Sequence, residues 1–119
     1  MKRIIYLMAT ISLLTSCNDV PKRTPLTMTD EIVLTAPDTQ SGLTVNEALA
    51  LRQSCRDYSS EKLSLEEVSE VLWAASGINR ADGKQTAPSA LALYPIQVYA
   101  FFAEGAYRYE PAAHTLVKV

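Results

Sequence analysis

Ser64-Leu65-Glu66-Glu67-Val68-Ser69-Glu70-Val71-Leu72-Trp73-Ala74-Ala75-Ser76-Gly77 is the stretch from which the fold can be read. It opens with a capping box: a Ser hydroxyl is available to the third helical N–H, and Glu67 can reach back to the cap. Leu65, Val68, Val71, Leu72 and Ala75 then recur at helical spacing and form one apolar stripe, and Gly77 stands where a helix ends. A helix over these residues needs a surface to cover. Trp73 beside the stripe suits a core or interface position.

Upstream, Thr44-Val45-Asn46-Glu47 repeats the capping-box pattern and starts a second helix, continued by Val45, Ala48 and Leu49. Further back, Glu31-Ile32-Val33-Leu34-Thr35, stopped by Ala36-Pro37-Asp38, has the composition of a short edge strand. Downstream of Gly77, residues 79–87 form a loop with a turn at Asp82-Gly83. The run of Ile, Val, Tyr, Ala and Phe from Pro95 to Ala103 suits a strand buried on both faces. A turn at Glu104-Gly105-Ala106 leads to a strand at Tyr107–Tyr109, and Thr115–Val119 forms another beyond Pro111. Helices followed by a meander of strands indicate an α+β class, with two or more helices packed on an antiparallel sheet. His114, the single histidine in the sequence, falls in a loop as a solvated or strand-flanking residue, and no metal-ligating pattern is visible.

The chain of 119 residues has room for one domain, and 48% hydrophobic with 20% charged residues is an ordinary globular balance. A formal charge of -2 without a basic patch argues against nucleic acid as a partner. Residues 1–16 read as a secretion signal, with Lys2-Arg3 before an apolar run from Ile4 to Leu14 that is too short to span a bilayer. Leu14-Thr15-Ser16-Cys17 resembles the bacterial lipobox. That resemblance implies cleavage before Cys17, acylation of its thiol and a lipid-anchored place in the bacterial cell envelope, periplasmic or surface-facing. Cleavage would remove two of the 11 basic residues and none of the 13 acidic ones, leaving a formal -4. With Cys17 acylated, Cys55 has no partner for a disulfide. Residues 17–30, with Pro21 and Pro25 and few apolar side chains, are expected to form a flexible tether, and residues 31–119 the domain.

Arg52-Gln53-Ser54-Cys55-Arg56-Asp57-Tyr58 carries the chemistry. Two guanidiniums with a hydroxyl between them can surround an anion, since each guanidinium presents a planar fork of donors. A solvated charged face is the alternative. The segment is expected at the last turn and exit of the first helix, where the dipole repels anions and the arginines must supply the attraction.

The order of motifs resembles the N-terminal half of the nitroreductase superfamily. Those motifs are Leu51–Tyr58, Leu63–Val68, Leu72–Arg80, Thr86-Ala87-Pro88-Ser89-Ala90 and Tyr94-Pro95, and they are most similar to the branch that includes SagB-type dehydrogenases. The resemblance implies a flavin mononucleotide (FMN) cofactor, with Arg52, Gln53, Ser54 and Arg56 at its phosphate and Pro88, Ser89 and Ala90 along its ring. Gln53 stands in place of the family's second Arg, Leu91 where the branch has Gly, and Ala92 where many members have Asn. Cys55 takes a small, buried apolar position. Hydride exchange between NAD(P)H or another donor and an electron-poor small-molecule acceptor is implied, and so is a homodimer once the domain is complete. No residue is singled out as a catalytic acid or base, because the flavin carries the chemistry. A chain ending at Leu116-Val117-Lys118-Val119 is expected to hold an incomplete fold. A truncated, non-catalytic remnant or interaction module is the alternative reading, with an unrelated anion-binding lipoprotein a third.

Overall fold

The computed structural model describes residues 23–119; residues 1–16, expected to be a secretion signal, and Cys17 lie outside them. Strand β1 (Glu31–Val33) precedes helix α1 (Val45–Leu51) and helix α2 (Leu65–Ser76), and three strands follow: β2 (Tyr99–Phe102), β3 (Gly105–Glu110) and β4 (Thr115–Lys118). The sheet is antiparallel in the order β1-β4-β3-β2, so the first strand returns beside the last. β2 and β3 are joined by a two-residue turn at Ala103-Glu104, with Phe102 opposite Gly105, and β3 and β4 by the turn at Pro111–His114, with Glu110 opposite Thr115. This is the α+β arrangement expected, with β1 at a sheet edge.

One face of the sheet makes the core. Ile32, Leu116 and Tyr109 align across β1, β4 and β3, and Tyr107 sits opposite Ala100 on β2. Val68 and Leu72 of α2 cover them, and Leu65, Val98, Ala100 and Phe102 close the edges. Leu116 is wholly buried. Phe102 meets Tyr107 edge to face, with ring centroids 5.7 Å apart, the geometry that aromatic quadrupoles favour.

Both capping boxes form. At α2 the Ser64 hydroxyl accepts from the Glu67 N–H at 3.2 Å, and the Ser64 N–H donates to the Glu67 carboxylate at 2.7 Å. The stripe of α2 is rotated from the expected one: Val71 is 64% exposed and Ala75 is exposed, while Ser69 and Ser76 are buried. Ser69 can occupy that place because its hydroxyl donates to the Leu65 carbonyl at 2.6 Å and accepts from the Thr35 N–H at 3.0 Å, so its buried oxygen is not left unpaired. Gly77 ends the helix with φ -72. Space rather than left-handed backbone explains it, since a Cβ there would lie 2.7 Å from the Trp73 carbonyl oxygen.

His114 flanks β4, one of the two places expected for it, and is not simply solvated. It is half-buried, in left-handed backbone with φ 51, and both ring nitrogens are used. Nε2 lies 2.8 Å from the Thr35 carbonyl oxygen and Nδ1 2.8 Å from the Tyr109 hydroxyl. A carbonyl only accepts, so Nε2 carries the proton, and in the neutral ring Nδ1 accepts from Tyr109. This bridge fastens the chain after β1 to the β3–β4 turn. Burial pushes the Tyr109 hydroxyl above the usual phenol value.

The stretch expected as a flexible tether is docked over its described part. Leu26 and Met28 pack against the core, Pro25 bridges to Ser64, and the Leu65 N–H donates to the Thr24 carbonyl at 2.8 Å. Arg23 pairs with Glu61 and, at 3.0 Å, with Glu67. The Thr24 hydroxyl, with its N–H at 2.9 Å, holds the Glu66 carboxyl down to about 2. The start of α2 exposes donors and carboxylates together, and the segment satisfies both.

Two surfaces differ from expectation. The helix α1 buries none of its residues: Val45, Leu49 and Leu51 are 74%, 65% and 68% exposed. β2 alternates instead of burying both faces, with Phe101 80% exposed on the side of the sheet away from α2. Periodicity identified these apolar residues, but among the described residues nothing covers them.

Two measurements test this packing. Leu116→Ala should lower the unfolding free energy by roughly 2–5 kcal/mol, as truncation of a fully buried Leu does, read by denaturant titration. Because the Glu66 pKa is lower in the folded chain, its contribution is fully present above its ordinary value of 4.5 and is lost as pH falls from there toward about 2. The melting temperature of the wild type should therefore exceed that of Glu66→Gln at pH 6 and approach it near pH 2.

Candidate functional site

The residues expected at an anion lie in one exposed segment. α1 stops at Leu51, and Arg52 is its cap, donating its N–H to the Ala48 carbonyl at 2.9 Å with extended backbone at φ -62, ψ 122. Gln53, Ser54 and Arg56 therefore follow the helix in irregular chain instead of closing its last turn. All four are exposed. Among the described residues neither guanidinium enters an ion pair. Cys55 is exposed and not the small buried side chain expected, its thiol donating to the Asp57 carbonyl at 3.3 Å. Arg52 and Arg56 are thus cations that no carboxylate of the described fold neutralises.

The second group is built around a cavity of about 290 Å³ at the C-terminal end of α2. Pro88, Ser89 and Ala90 form one wall; Ser76, Gln85 and Tyr94 contribute the polar groups and Ile96 and Val98 the apolar floor. The wall is tied to α2 in several places. The Thr86 N–H donates to the Gly77 carbonyl at 2.8 Å and the Thr86 hydroxyl to the Trp73 carbonyl at 3.2 Å. The Trp73 indole N–H donates to the Ile78 carbonyl at 3.2 Å, so this residue, half-buried, anchors a loop. Ser76 donates its hydroxyl proton to the Gln85 side-chain oxygen at 2.7 Å. In the turn before this wall, Lys84 donates to Asp82 through its ammonium at 2.8 Å and its N–H at 3.2 Å, which lowers the Asp82 pKa.

Beyond Ala90 the chain turns sharply. The Ala92 N–H donates to the Ser89 carbonyl at 3.1 Å and the Leu93 N–H to the Ala90 carbonyl at 3.2 Å. Within this turn Leu91 and Ala92 both have φ 54, and Tyr94 has φ 42. Left-handed backbone costs a residue with a Cβ roughly 1–2 kcal/mol, and Gly and Asn tolerate it best. Leu91 and Ala92, two of the three positions at which the sequence departs from the pattern it resembles, thus both have backbone that Gly or Asn adopts more easily. The turn also leaves amides open: among the described residues the N–H groups of Ser89 and Ala90 donate to no protein acceptor.

The structure thus gathers Pro88, Ser89 and Ala90 at one cavity, but Arg52, Gln53, Ser54 and Arg56 line neither it nor the larger one. The larger cavity, about 510 Å³, lies between residues 23–28, residues 61–64 and the β2–β3 turn, and holds none of the expected site residues. Ser76, Gln85 and Tyr94 are polar residues of the smaller cavity to which the sequence assigned no site role. Ser76 and Tyr94 were visible as parts of motifs; Gln85 carried no signal.

A family model for the nitroreductase family matches residues 49–119, which include both groups of site residues. A protein of Methanocaldococcus jannaschii provisionally assigned as a nitroreductase is 35% identical over 98 residues, covering 77% of this chain and 49% of that protein. The crystal structure of a protein from Ralstonia eutropha JMP134, also provisionally assigned as a nitroreductase, matches with a TM-score of 0.72 and 39% identity, over 82% of this chain and 48% of that one. The chain spans about half the length of these relatives.

The strained turn has a measurable signature. Leu91 is 90% exposed, so Leu91→Gly removes no packing; relief of about 1–2 kcal/mol of strain should outweigh roughly 0.5–1 kcal/mol of added backbone entropy. The variant should unfold at a denaturant concentration equal to or above that of the wild type, whereas Gly in an ordinary loop position lowers it.

Proposed function

The chain belongs to the nitroreductase family, and on that premise we propose that it acts as an FMN-dependent oxidoreductase that moves a hydride from NAD(P)H or another donor to an electron-poor small molecule. The observation that carries this reading is the pair of guanidiniums at Arg52 and Arg56, which no carboxylate among the described residues neutralises, with Ser54 between them, inside the matched region. A phosphate dianion needs charge and several donors; two arginine forks, the Ser54 hydroxyl and the Gln53 amide supply both.

The donor set of the second group fits the other end of the same cofactor. A flavin ring offers a planar apolar body with hydrogen-bond acceptors along its edge. Small side chains at Ser89 and Ala90 and their open amides suit close approach of backbone to such an edge, and the apolar floor suits the ring. When bound, the flavin supplies the two-electron chemistry. The chain's part is to hold the phosphate electrostatically, orient the ring against the Pro88–Ala90 backbone and restrict water around it. No acid or base among its side chains is assigned a step.

Three further elements belong to the proposal. A homodimer would give the exposed apolar residues of α1 a partner surface. Acylation of Cys17, outside the described residues, would anchor the protein to a membrane of the cell envelope. NAD(P)H is one candidate donor. A second reading, an interaction module without catalysis, is favoured by one observation, that among the described residues the apolar side chains of α1 and Phe101 on the outer face of β2 stay uncovered.

Flavin titration of the purified full chain separates the two. The oxidoreductase reading expects a yellow protein that quenches the fluorescence of added FMN. It also expects Arg52→Ala with Arg56→Ala to weaken FMN at least tenfold, by loss of charge-assisted hydrogen bonds of about 1.5–3 kcal/mol each, and to leave phosphate-free riboflavin nearly unaffected. A colourless protein that ignores FMN supports the interaction module, and equal losses for FMN and riboflavin remove the phosphate assignment.

A further inference from the structure

Tyr94 holds the wall of the smaller cavity from two sides. Its N–H donates to the Ser89 side-chain oxygen at 2.9 Å, and its phenol oxygen accepts from the Gln85 N–H at 3.1 Å. Gln85 is fixed in turn by the Ser76 hydroxyl at 2.7 Å and by its β-bridge to Ile78. Ser76 is buried at the end of α2, 6% exposed. A continuous set of hydrogen bonds therefore runs from the buried end of α2 through Gln85 and Tyr94 to Ser89, in the middle of the Pro88–Ala90 wall. Tyr94 is the one residue in it that spans from the loop's first half to its second.

The backbone makes the same point energetically. Tyr94 sits at φ 42, a conformation that persists in a bulky residue only when its surroundings over-determine it. Here the over-determination is visible: one bond through the main chain and one through the ring hydroxyl. Both bonds also set protons. Because the phenol oxygen accepts from Gln85 and the Ser89 oxygen accepts from Tyr94, each hydroxyl keeps its own proton for another acceptor, and among the described residues neither has a protein acceptor. Both residues line the cavity.

We infer that Tyr94 is a positioning residue for cofactor binding: it sets the Pro88–Ala90 backbone and the Ser89 hydroxyl against the acceptor edge of the flavin ring. This rests on the FMN reading above, but it concerns the ring end of the site, where the arginines have no part.

The test uses the full chain and Tyr94→Phe, which keeps the ring and removes the hydroxyl, with Ser89→Ala as a smaller change that breaks the other bond. Hydrogen exchange of the Gln85 amide should quicken in Tyr94→Phe, and that of the Tyr94 amide in Ser89→Ala, with or without flavin. Each variant should weaken FMN and riboflavin alike by about three- to tenfold, the scale of one hydrogen bond, and move the visible flavin absorbance band. The double variant should lose less than the product of the two. A purely structural role would change neither the band nor the affinity at temperatures well below melting. Wild-type affinity and an unmoved band in both variants overturn the inference while FMN binding by the wild type stands. A wild-type chain that binds neither flavin overturns the FMN reading and the positioning role with it.

Discussion

The burial of Leu116 and Tyr107 beneath Val68 and Leu72 is the contact on which the other features depend. The four strands are short, three to six residues each, and a two-stranded ribbon of that length is not stable in water. Laying α2 across the sheet gives the strands a common apolar partner and gives the helix the surface it lacks. Both ends of α2 are thereby fixed in space. Its N-terminal end collects residues 23–28 through Glu66, Glu67 and the Leu65 N–H, and its C-terminal end collects the loop through Gly77, Trp73 and Ser76. The candidate cofactor wall is placed by that second end.

The two halves of the candidate site are organised by different physics. Arg52, Gln53, Ser54 and Arg56 are close because they are neighbours in sequence, and among the described residues no carboxylate pairs with either guanidinium. Pro88, Ser89 and Ala90 owe their arrangement to three left-handed residues and to hydrogen bonds reaching back to α2. Rigid placement by packed elements is what a ring-binding surface needs; a phosphate can be met by long, mobile guanidiniums.

Much of the fold was legible because its signals are local. The capping boxes at Thr44 and Ser64 and the strand compositions after Pro95 are each decided within a few residues, and each forms, while the turn expected at Glu104-Gly105-Ala106 lies one residue earlier, at Ala103-Glu104, with Gly105 opening β3. What could not be read depends on distant partners. Nothing near His114 in sequence announces the Thr35 carbonyl, 79 residues away, and nothing in the polar, proline-containing stretch before β1 announces Glu66. The candidate site divides the same way: its residues were visible as motifs in order, but Gln85 became recognisable only through Ser76 and Tyr94.

The sequence by itself determined the helices and most strands, the α+β class and the family, and it supplied the residues of each half of the candidate site, because propensity, capping and motif order are properties of short segments. Tertiary structure alone decided which side of α2 faces the sheet, so that Ser69 and Ser76 are buried and Val71 is not. It also decided that Leu91, Ala92 and Tyr94 take left-handed backbone, and that residues 23–28 dock. Periodicity states which residues share a face but not the angle at which that face meets another element. That angle is chosen by the packing and hydrogen-bond satisfaction of the whole domain at once.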